Sequence, residues 1–290
     1  MASTDYLRVE NIFSVKDYVC VVTGGATGIG LMATQVLAAN GAKVYITGRR
    51  LEALENAAKT HNPSQGGQII PAGPCDVTKK EDLERVVAEI SKKEKYVNLL
   101  ITNAGVSGPK AEPDLTGAQE LKDKLWGAEG FDEWNSVFNT NVSSVYFTTL
   151  AFLPLLQAGS KHKPAEPSSV IVISSMSGIM RHAQGHFSYN AAKGATIHLS
   201  KLMSAEFDKA NIRVNSIAPG YFPSEMTAKA SDENQKSDLP PETIQQKGHV
   251  ERAGSDEEMG MAVIFLAKNV YVNGEVLAVD GGELLKVPGR

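Results

Sequence analysis

The sequence predicts an α/β fold: a single doubly wound domain in which helices cover both faces of a parallel seven-stranded sheet. Short apolar segments rich in Val and Ile alternate along the chain with longer segments of helical periodicity. Several short segments, such as VCVVT and VIVISS, lack the polar alternation of a half-exposed strand. Strands of this kind are covered on both faces, as they are in a parallel sheet.

Seven runs are predicted as strands because they are short, β-branched and bounded by turn residues. They are Tyr18–Thr23, Lys43–Thr47, Gln68–Ala72, Asn98–Thr102, Ser169–Ser174, Ile212–Ala218 and Glu275–Val279. Six segments are predicted as helices because their apolar residues recur at helical spacing. They are Gly28–Asn40, Leu51–Thr60, Lys79–Lys93, Phe131–Leu156, Tyr189–Lys209 and Glu257–Lys268. Asn40 and Gly41 give the first helix a typical C-cap.

Three polar stretches interrupt this alternation: Ser107–Gly130, Gln157–Ser168 and Lys229–His249. Their Pro, Gly and charged residues predict surface connections, and none of them is long enough to separate two cores. We therefore expect residues 1–290 to form one domain, with the 229–249 segment as a lid over the binding pocket.

Composition excludes several classes of protein. The chain has 290 residues, 42% of them hydrophobic, and a formal net charge of −4, unlike a disordered chain or a protein with a broad basic surface for nucleic acid. The polar segment Met1–Asp17 does not resemble a signal peptide. Apolar stretches such as Ala262–Ala267 are far shorter than the roughly 20 residues of a membrane helix, so we expect no membrane partner. Cys20 and Cys75 are expected to be buried free thiols, which fits a reducing, cytoplasmic compartment.

The first predicted strand leads through a glycine-rich turn, TGGATGIG, into a helix. In such a turn Gly24, Gly28 and Gly30, with Thr27 and Ile29 between them, present backbone N–H groups and a helix N-terminus to a pyrophosphate. The alternative is a tight turn without a ligand. The strand-turn-helix context favours a dinucleotide site.

The second strand ends at Thr47 and is followed by Gly48, Arg49 and Arg50, where an NAD site has an acidic residue for the ribose. A guanidinium binds a 2′-phosphate through charge-assisted hydrogen bonds, so the pair favours NADP(H) over NAD(H). The alternative is a pair of exposed charges at the start of a helix. That position is electrostatically unfavourable for cations, which slightly supports the cofactor role.

Two further strand ends carry candidate cofactor contacts. Asp76 and Val77 follow the third strand, where the carboxylate either caps the next helix or hydrogen-bonds the adenine. Asn103, Ala104 and Gly105 follow the fourth strand, where they either form a turn or border the nicotinamide ribose.

A catalytic group is predicted beyond the fifth strand. Tyr189 and Lys193 are four residues apart, which places them on one face of a helix. The ammonium is expected to lower the phenol pKa, so that Tyr189 donates a proton to a carbonyl oxygen as hydride arrives. Ser175, at the carboxyl end of a strand, is placed to hydrogen-bond the same oxygen.

These motifs together resemble those of the classical short-chain dehydrogenases/reductases over Val15–Gly282. TGGATGIG, NAG, SSMSG, YNAAK and IRVNSIAPG stand in that family's order. The resemblance implies a Rossmann domain with Ser175, Tyr189 and Lys193 as catalytic residues, the last two also contacting the cofactor. It implies Asn141 as a fourth member that supports a proton relay to the lysine, with Asn139 as the neighbouring alternative.

The resemblance also implies that Pro219 and Gly220 flank the nicotinamide and that Ser224 contacts its carboxamide. One departure is that the chain from Gly178 to the catalytic tyrosine is one residue longer than is usual. Ser175 is therefore assigned by its spacing to Gly178, and Ser174 and Ser177 are the alternatives.

The segment APGYFPSEMT and the chain end resemble those of 3-oxoacyl reductases, including rhamnolipid-pathway members. The implied activity is NADP(H)-dependent reduction of a ketone to a secondary alcohol, or the reverse, in a homo-oligomer that is a tetramer or a dimer. Core packing explains much of an apolar stripe on the catalytic helix, and the resemblance implies a subunit interface there as well: Ala192, Ala195, Leu199, Leu202, Met203 and Phe207. The alternatives are an imine or double-bond reductase and a non-catalytic NADP(H) sensor.

Two pairs of aromatic residues are further candidates for a functional role. His182 and His186 have helical ligand spacing but no third ligand nearby in sequence, so they are expected near the substrate entrance and no metal site is predicted. Trp126 and Trp134 are expected to be packed helix aromatics, the alternative being that they line a pocket.

Overall fold

The computed structural model describes residues 4–113, 116–228, 231–239 and 249–287. Its sheet confirms the predicted seven parallel strands, in the order β3-β2-β1-β4-β5-β6-β7. The strands are β1 Val19–Thr23, β2 Lys43–Thr47, β3 Gln68–Pro71, β4 Leu99–Thr102, β5 Ser169–Ile173, β6 Arg213–Pro219 and β7 Val276–Val279. The strand order reverses between β1 and β4, the position at which ligands bind in open α/β sheets.

Eleven α-helices occur in the described residues. They are α1 Val9–Ile12, α2 Gly28–Ala39, α3 Leu51–His61, α4 Lys80–Ser91, α5 Ala118–Trp126, α6 Phe131–Phe138, α7 Ser144–His162, α8 Phe187–Phe207, α9 Glu225–Ala228, α10 Asp256–Lys268 and α11 Glu283–Lys286. A π-helical turn, Asn139–Ser143, joins α6 to α7, and short 3-10 turns occur at Asp5–Leu7, Met176–Gly178 and Asp208–Ala210.

Both faces of the sheet are covered, and each strand contributes to two cores. In β1 the side chains of Cys20 and Val22 pack with α2, α3 and α10 on one face, whereas Val19 and Val21 pack with α4, α7 and α8 on the other. This two-sided burial explains the absence of polar alternation in the strand sequences. Cys20 and Cys75 are buried free thiols, as predicted.

The predicted helix Phe131–Leu156 is wrong in two respects. It is interrupted by the π turn at 139–143, and its second half runs on to His162, into a stretch predicted as a connection. Ser160 is buried, donates to the Asn211 carbonyl at 2.6 Å and accepts from the Ser168 amide at 2.9 Å. Because these bonds lie between distant parts of the chain, the local polarity of the segment did not indicate a helix.

The predicted connection 107–130 also contains a helix, α5, none of whose residues is buried. The expected packing of Trp126 is wrong, since this side chain is 80% exposed. Trp134 does pack: it stacks on Phe138 with ring centroids 6.0 Å apart, and its Nε1 donates to Glu129 at 3.1 Å.

One helical stretch of the described residues, Phe131–His162, is long and apolar enough to cross a membrane by length and composition alone. The expectation that no stretch approaches that length is therefore wrong. In this fold Val145, Phe152 and Leu156 of the stretch belong to the core beside the sheet, which accounts for much of its apolar character.

The predicted lid is only partly described, because 229–230 and 240–248 lie outside the described residues. Residues 231–239 do not line the central cleft. They lie instead against α3, where Asn56 Nδ2 donates to the Glu233 carbonyl at 2.9 Å and His61 Nε2 contacts the Asn234 carbonyl at 2.6 Å. The described part of the segment thus packs on α3 and does not line the cleft, and the lid stays a prediction.

Candidate active site

The glycine-rich turn forms one wall of a cleft of about 310 Å³ at the carboxyl edge of the sheet. Gly24 and Gly28 have φ values of +64° and +52°, a region that side chains disfavour. A Cβ on Gly30 would lie 2.1 Å from the Gly24 carbonyl oxygen, so the first turn of α2 packs directly on the loop. Thr27 makes no side-chain cap, and the first turn of α2, which lines the cleft, has amides with no side-chain acceptor among the described residues.

Asn103 holds this turn in place. Its amide Nδ2 donates to the carbonyls of Thr23 and Gly24 at 3.0 and 3.1 Å, and its backbone N–H donates to Thr23 Oγ1 at 2.9 Å. The Asn103 side chain therefore stabilises the turn, which is one of the two roles predicted for it. Ala104 and Gly105 line the adjoining part of the cleft. A Cβ on Gly105 would lie 2.7 Å from Asn141 Oδ1 and 3.7 Å from Lys193 Nζ.

The arginines after β2 line the opposite end of the cleft. Arg50 Nη2 contacts both carboxylate oxygens of Glu225, at 2.7 and 3.0 Å, while Arg49 has no hydrogen-bonded partner within the described part of the chain. Asp76 accepts hydrogen bonds from the Thr78 hydroxyl and amide at 2.7 and 3.0 Å, and the hydroxyl bond is the main cause of its lowered pKa. Asp76 therefore forms the turn before α4 and does not cap that helix.

Ser175 is singled out among the three candidate serines. Ser174 is hydrogen-bonded to Ser216 Oγ at 2.7 Å and to the Ile217 carbonyl at 2.9 Å, which occupies its hydroxyl inside the sheet. Ser177 donates to Gln184 at 3.2 Å. Ser175 faces the cleft instead and is hydrogen-bonded to the Tyr189 hydroxyl.

The sequence places this serine next to α8 through Gly178. A Cβ on Gly178 would lie 2.5 Å from the Lys193 carbonyl carbon, so only glycine allows the 3-10 turn after β5 to approach the helix backbone so closely. Tyr189 and Lys193 lie one turn apart on α8, with the ammonium 5.7 Å from the phenol ring centroid. Lys193 is 4% exposed, and its Nζ donates to the Ile173 carbonyl at 3.0 Å.

The electrostatics of this pair differ from the sequence expectation. Burial raises the pKa of Tyr189, and the hydrogen bond from Ser175 lowers it only in part. Burial also lowers the pKa of Lys193 to about 8, because a cation loses hydration in the protein interior. The expectation that the Lys193 ammonium lowers the pKa of Tyr189 is therefore wrong in this structure.

Asn141 lies in the π turn and is 1% exposed, whereas Asn139 is exposed. The Asn141 side chain exchanges two hydrogen bonds with the Val106 backbone, donating at 2.8 Å and accepting at 3.1 Å. Its carbonyl accepts from Thr196 Oγ1 of α8 at 2.8 Å. Asn141 thus connects the chain after β4 to the helix that carries Tyr189 and Lys193.

Most predicted site residues come together in this one cleft. Its lining contains Gly24, Thr27, Gly28, Ile29, Arg49, Arg50, Asp76, Val77, Asn103, Ala104, Gly105, Ser175, Tyr189, Lys193, Pro219, Gly220 and Ser224. Gly30 and Asn141 lie directly behind the lining.

Sequence reasoning missed Glu225, Met226 and Thr227, which also line the cleft. They belong to the segment APGYFPSEMT, whose resemblance to 3-oxoacyl reductases was the signal that could have assigned them together with Ser224. His186 packs edge-on to Tyr189 at 6.4 Å between ring centroids, and no cluster of three metal-ligating side chains occurs in the part of the chain that the structure describes.

Comparison with known proteins agrees with this geometry. The chain is 40% identical to the short-chain dehydrogenase/reductase PhomF of Diaporthe leptostromiformis, over 98% of this chain and 97% of the relative. It is 34% identical to the 3-oxoacyl-[acyl-carrier-protein] reductase FabG of Chlamydia muridarum, over 90% and 95% of the two chains. A solved structure of the Pseudomonas aeruginosa RhlG/NADP active-site complex superposes with a TM-score of 0.77 at 30% identity, covering 94% of this chain and 98% of that one.

These similarities confirm the predicted resemblance to 3-oxoacyl reductases. The sequence profile of the family described as short chain dehydrogenase matches residues 18–235, which include the glycine-rich turn and the Ser175, Tyr189 and Lys193 group. The chain belongs to the short-chain dehydrogenase/reductase family, whose members are oxidoreductases that use a nicotinamide cofactor.

Proposed function

We propose that the protein is an NADP(H)-dependent carbonyl reductase that converts a ketone to a secondary alcohol. The observation that carries the proposal is the group formed by Ser175, Tyr189 and Lys193 beside a cleft whose glycine-rich wall fits a dinucleotide. When bound, the nicotinamide cofactor supplies a hydride, and this chain supplies the binding groups and the proton.

The cleft suits the cofactor at three points. The uncapped N-terminus of α2 is a binding site for pyrophosphate. Gly24 and Gly28 keep side chains away from that end, and Arg49, which has no hydrogen-bonded partner among the described residues, offers its guanidinium near the position expected for a 2′-phosphate. The resemblance to the RhlG/NADP complex supports NADP(H) as well.

Tyr189 is the proton donor in this proposal. Because burial raises its pKa, the phenol holds its proton at neutral pH and is already in the form needed for reduction. Transfer of hydride to the carbonyl carbon places negative charge on the oxygen, which then takes the phenolic proton. Ser175 is hydrogen-bonded to Tyr189 and orients the same oxygen.

Lys193 replaces the proton that Tyr189 gives up. Its pKa of about 8 allows it to be protonated at neutral pH and still release a proton readily. We assign the support of this relay to Asn141, which lies in the π turn and whose backbone carbonyl accepts from Thr196 of α8. We assign Pro219, Gly220 and Ser224 to the nicotinamide end of the cleft, in line with the family's order of motifs.

Assembly and location complete the proposal. Leu202 on α8 is 52% exposed, and Tyr146 and Phe147 on α7 are more than a third exposed. Such apolar exposure supports an interface between subunits of a dimer or tetramer. The two buried free thiols, Cys20 and Cys75, are consistent with a cytoplasmic enzyme.

Oxidation of NADPH and of NADH against a substrate panel tests the activity. The panel includes acyl-thioester ketones, cyclic and polyketide-like ketones, sugar ketones, imines and activated double bonds. We expect turnover with a ketone and NADPH. Turnover with imines or double bonds alone would replace the proposal by one of those reductases, and binding of NADPH without any turnover would favour a sensor.

Tyr189→Phe removes only the proton-donating hydroxyl. We expect it to abolish turnover while the dissociation constant for NADPH changes less than about twofold, because the ring and Lys193 remain in place. Retained turnover would contradict the role of Tyr189.

Arg49→Ala tests the cofactor preference separately. We expect it to weaken NADPH binding by tenfold or more and NADH binding little, as lost charge-assisted hydrogen bonds to a phosphate imply. An unchanged ratio of the two affinities, measured by fluorescence titration, would count against the 2′-phosphate role.

A further inference from the structure

Glu225 and Arg50 join the two walls of the cofactor cleft. Arg50 is the N-cap of α3, and Glu225 is the first residue of α9 in the chain that follows β6. Arg50 Nη2 contacts both oxygens of the carboxylate, at 2.7 and 3.0 Å, and both residues line the cleft. A carboxylate therefore already binds Arg50, one of the two arginines that the sequence predicts as the 2′-phosphate site.

The ion pair is weak enough to be exchanged. The side chains of Arg50 and Glu225 are 61% and 34% exposed, and ion pairs in contact with water change an equilibrium by about fivefold at most. A 2′-phosphate carries about −1.5 to −2 charges at neutral pH and three acceptor oxygens, against one charge on a carboxylate. The phosphate is thus the stronger partner for the same guanidinium.

The surrounding chain keeps Glu225 close to α3 when the pair separates. Residues 231–239, which follow α9, are hydrogen-bonded to Asn56 and His61 on α3. Lys236 within this segment pairs with Asp256 of α10 at 2.5 Å. Glu225 therefore acts as a tethered anion beside the cleft, and its local concentration stays high in the cofactor complex.

We propose that Glu225 competes with the cofactor's 2′-phosphate for Arg50 and so limits the preference for NADPH over NADH. This inference rests on the proposed NADP(H) function and adds a specificity-determining residue to it. Arg49, which has no hydrogen-bonded partner in the described residues, provides the uncontested part of the phosphate site. A cofactor without the 2′-phosphate leaves the pair of Arg50 and Glu225 intact.

Glu225→Gln removes the competing charge with almost no change of shape. We expect it to tighten binding of NADPH and of adenosine 2′,5′-bisphosphate by about three- to fivefold, since the exposed ion pair that the phosphate has to displace is lost. NADH and AMP should bind within twofold of the original affinity. Fluorescence titration and calorimetry measure these constants without any turnover.

The double variant Arg50→Ala/Glu225→Gln tests the mechanism. With Arg50 absent there is nothing to compete for, so Glu225→Gln should change NADPH binding less than twofold in that background. Glu10→Gln, in an exposed ion pair with Arg8 outside the cleft lining, is the matched control and should leave all four affinities unchanged.

The outcomes separate this inference from the proposed function. If the arginine variants weaken NADPH binding but Glu225→Gln does not strengthen it, the competition is refuted and the NADP(H) assignment stands. If Glu225→Gln weakens NADPH binding, Glu225 positions Arg50 for the phosphate and the proposed competition is wrong. If neither Arg49→Ala nor Arg50→Ala alters the ratio of NADPH to NADH affinity, the 2′-phosphate assignment fails, and the competition fails with it.

Discussion

Replacement of Lys193 by methionine should reveal how much stability the fold gives up for its active site. The Lys193 side chain is 4% exposed, and only the Ile173 carbonyl is hydrogen-bonded to its ammonium among the described residues. Burial lowers its pKa from 10.5 to about 8. The folded state therefore binds this proton more weakly than the unfolded chain does.

The sign and size of the effect follow from that difference. Below pH 8 both states carry the proton, and the buried charge destabilises the folded state by about 3 kcal/mol, from a difference of 2.5 pKa units at about 1.36 kcal/mol each. Between pH 8 and 10.5 the unfolded chain binds more protons than the folded protein does. The free energy of unfolding therefore increases as pH rises through this range. Between about pH 7.5 and 9.5 this gain amounts to about 2 kcal/mol.

Urea unfolding of the original protein and of Lys193→Met at those two pH values measures the gain. The difference in free energy of unfolding between the two proteins should shift by about 2 kcal/mol in favour of the original as pH rises. Loss of the hydrogen bond to Ile173 contributes equally at both pH values and cancels. Lys201→Met, at an exposed position of the same helix, should show no such shift. A difference that is independent of pH for Lys193→Met would refute the argument.

Two further predictions concern the glycine-rich turn, which the sequence predicted, and the extension of α7, which it did not. Gly30→Ala places a Cβ 2.1 Å from the Gly24 carbonyl oxygen; it should lower the free energy of unfolding by about 1–3 kcal/mol and weaken NADPH binding. Thermal unfolding and cofactor titration measure both, and a variant with the original stability would show that the turn yields. Ser160→Ala leaves the Asn211 carbonyl and the Ser168 amide without their partner, so urea unfolding should show a loss of about 1–3 kcal/mol. A smaller loss would mean that water replaces the hydroxyl.

The sheet and the site motifs could be predicted because their signals are local. A strand buried on both faces is apolar at every position, as VCVVT in β1 and SVIVI in β5 are. The glycine-rich turn and the Tyr189–Lys193 spacing each lie within one strand-turn-helix or one helix. The edge of the sheet at which they meet follows from the parallel topology.

The missed features depend on contacts between distant parts of the chain. The extension of α7 to His162 is stabilised by the bonds of Ser160 with residues 8 and 51 positions away. Glu225 and Arg50 are 175 residues apart, and nothing around either residue marks the other as its partner. The raised pKa of Tyr189 reflects burial, which the spacing to Lys193 did not reveal.

Polar groups at the two edges of the sheet differ in how their hydrogen bonds are satisfied. The difference indicates which edge binds a ligand. At the amino edge the groups are bonded to one another: Tyr18 and Lys268 both donate to Glu166, at 2.6 and 2.7 Å. There the Arg213 guanidinium donates to four carbonyls at the end of α10 and just beyond it.

At the carboxyl edge of the sheet, several hydrogen-bond donors remain available to a ligand. The amides at the start of α2 have no side-chain cap, and the ammonium of Lys193 is buried with one carbonyl as its hydrogen-bond acceptor among the described residues. Each of these arrangements lowers stability unless a further partner is bound. The Tyr18, Lys268 and Glu166 group is bonded within itself and holds the sheet edge together, although Arg213 Nε beside it has no acceptor in the described residues. The donors around the cleft face one open space instead, and they are suited to an anionic dinucleotide and a carbonyl oxygen.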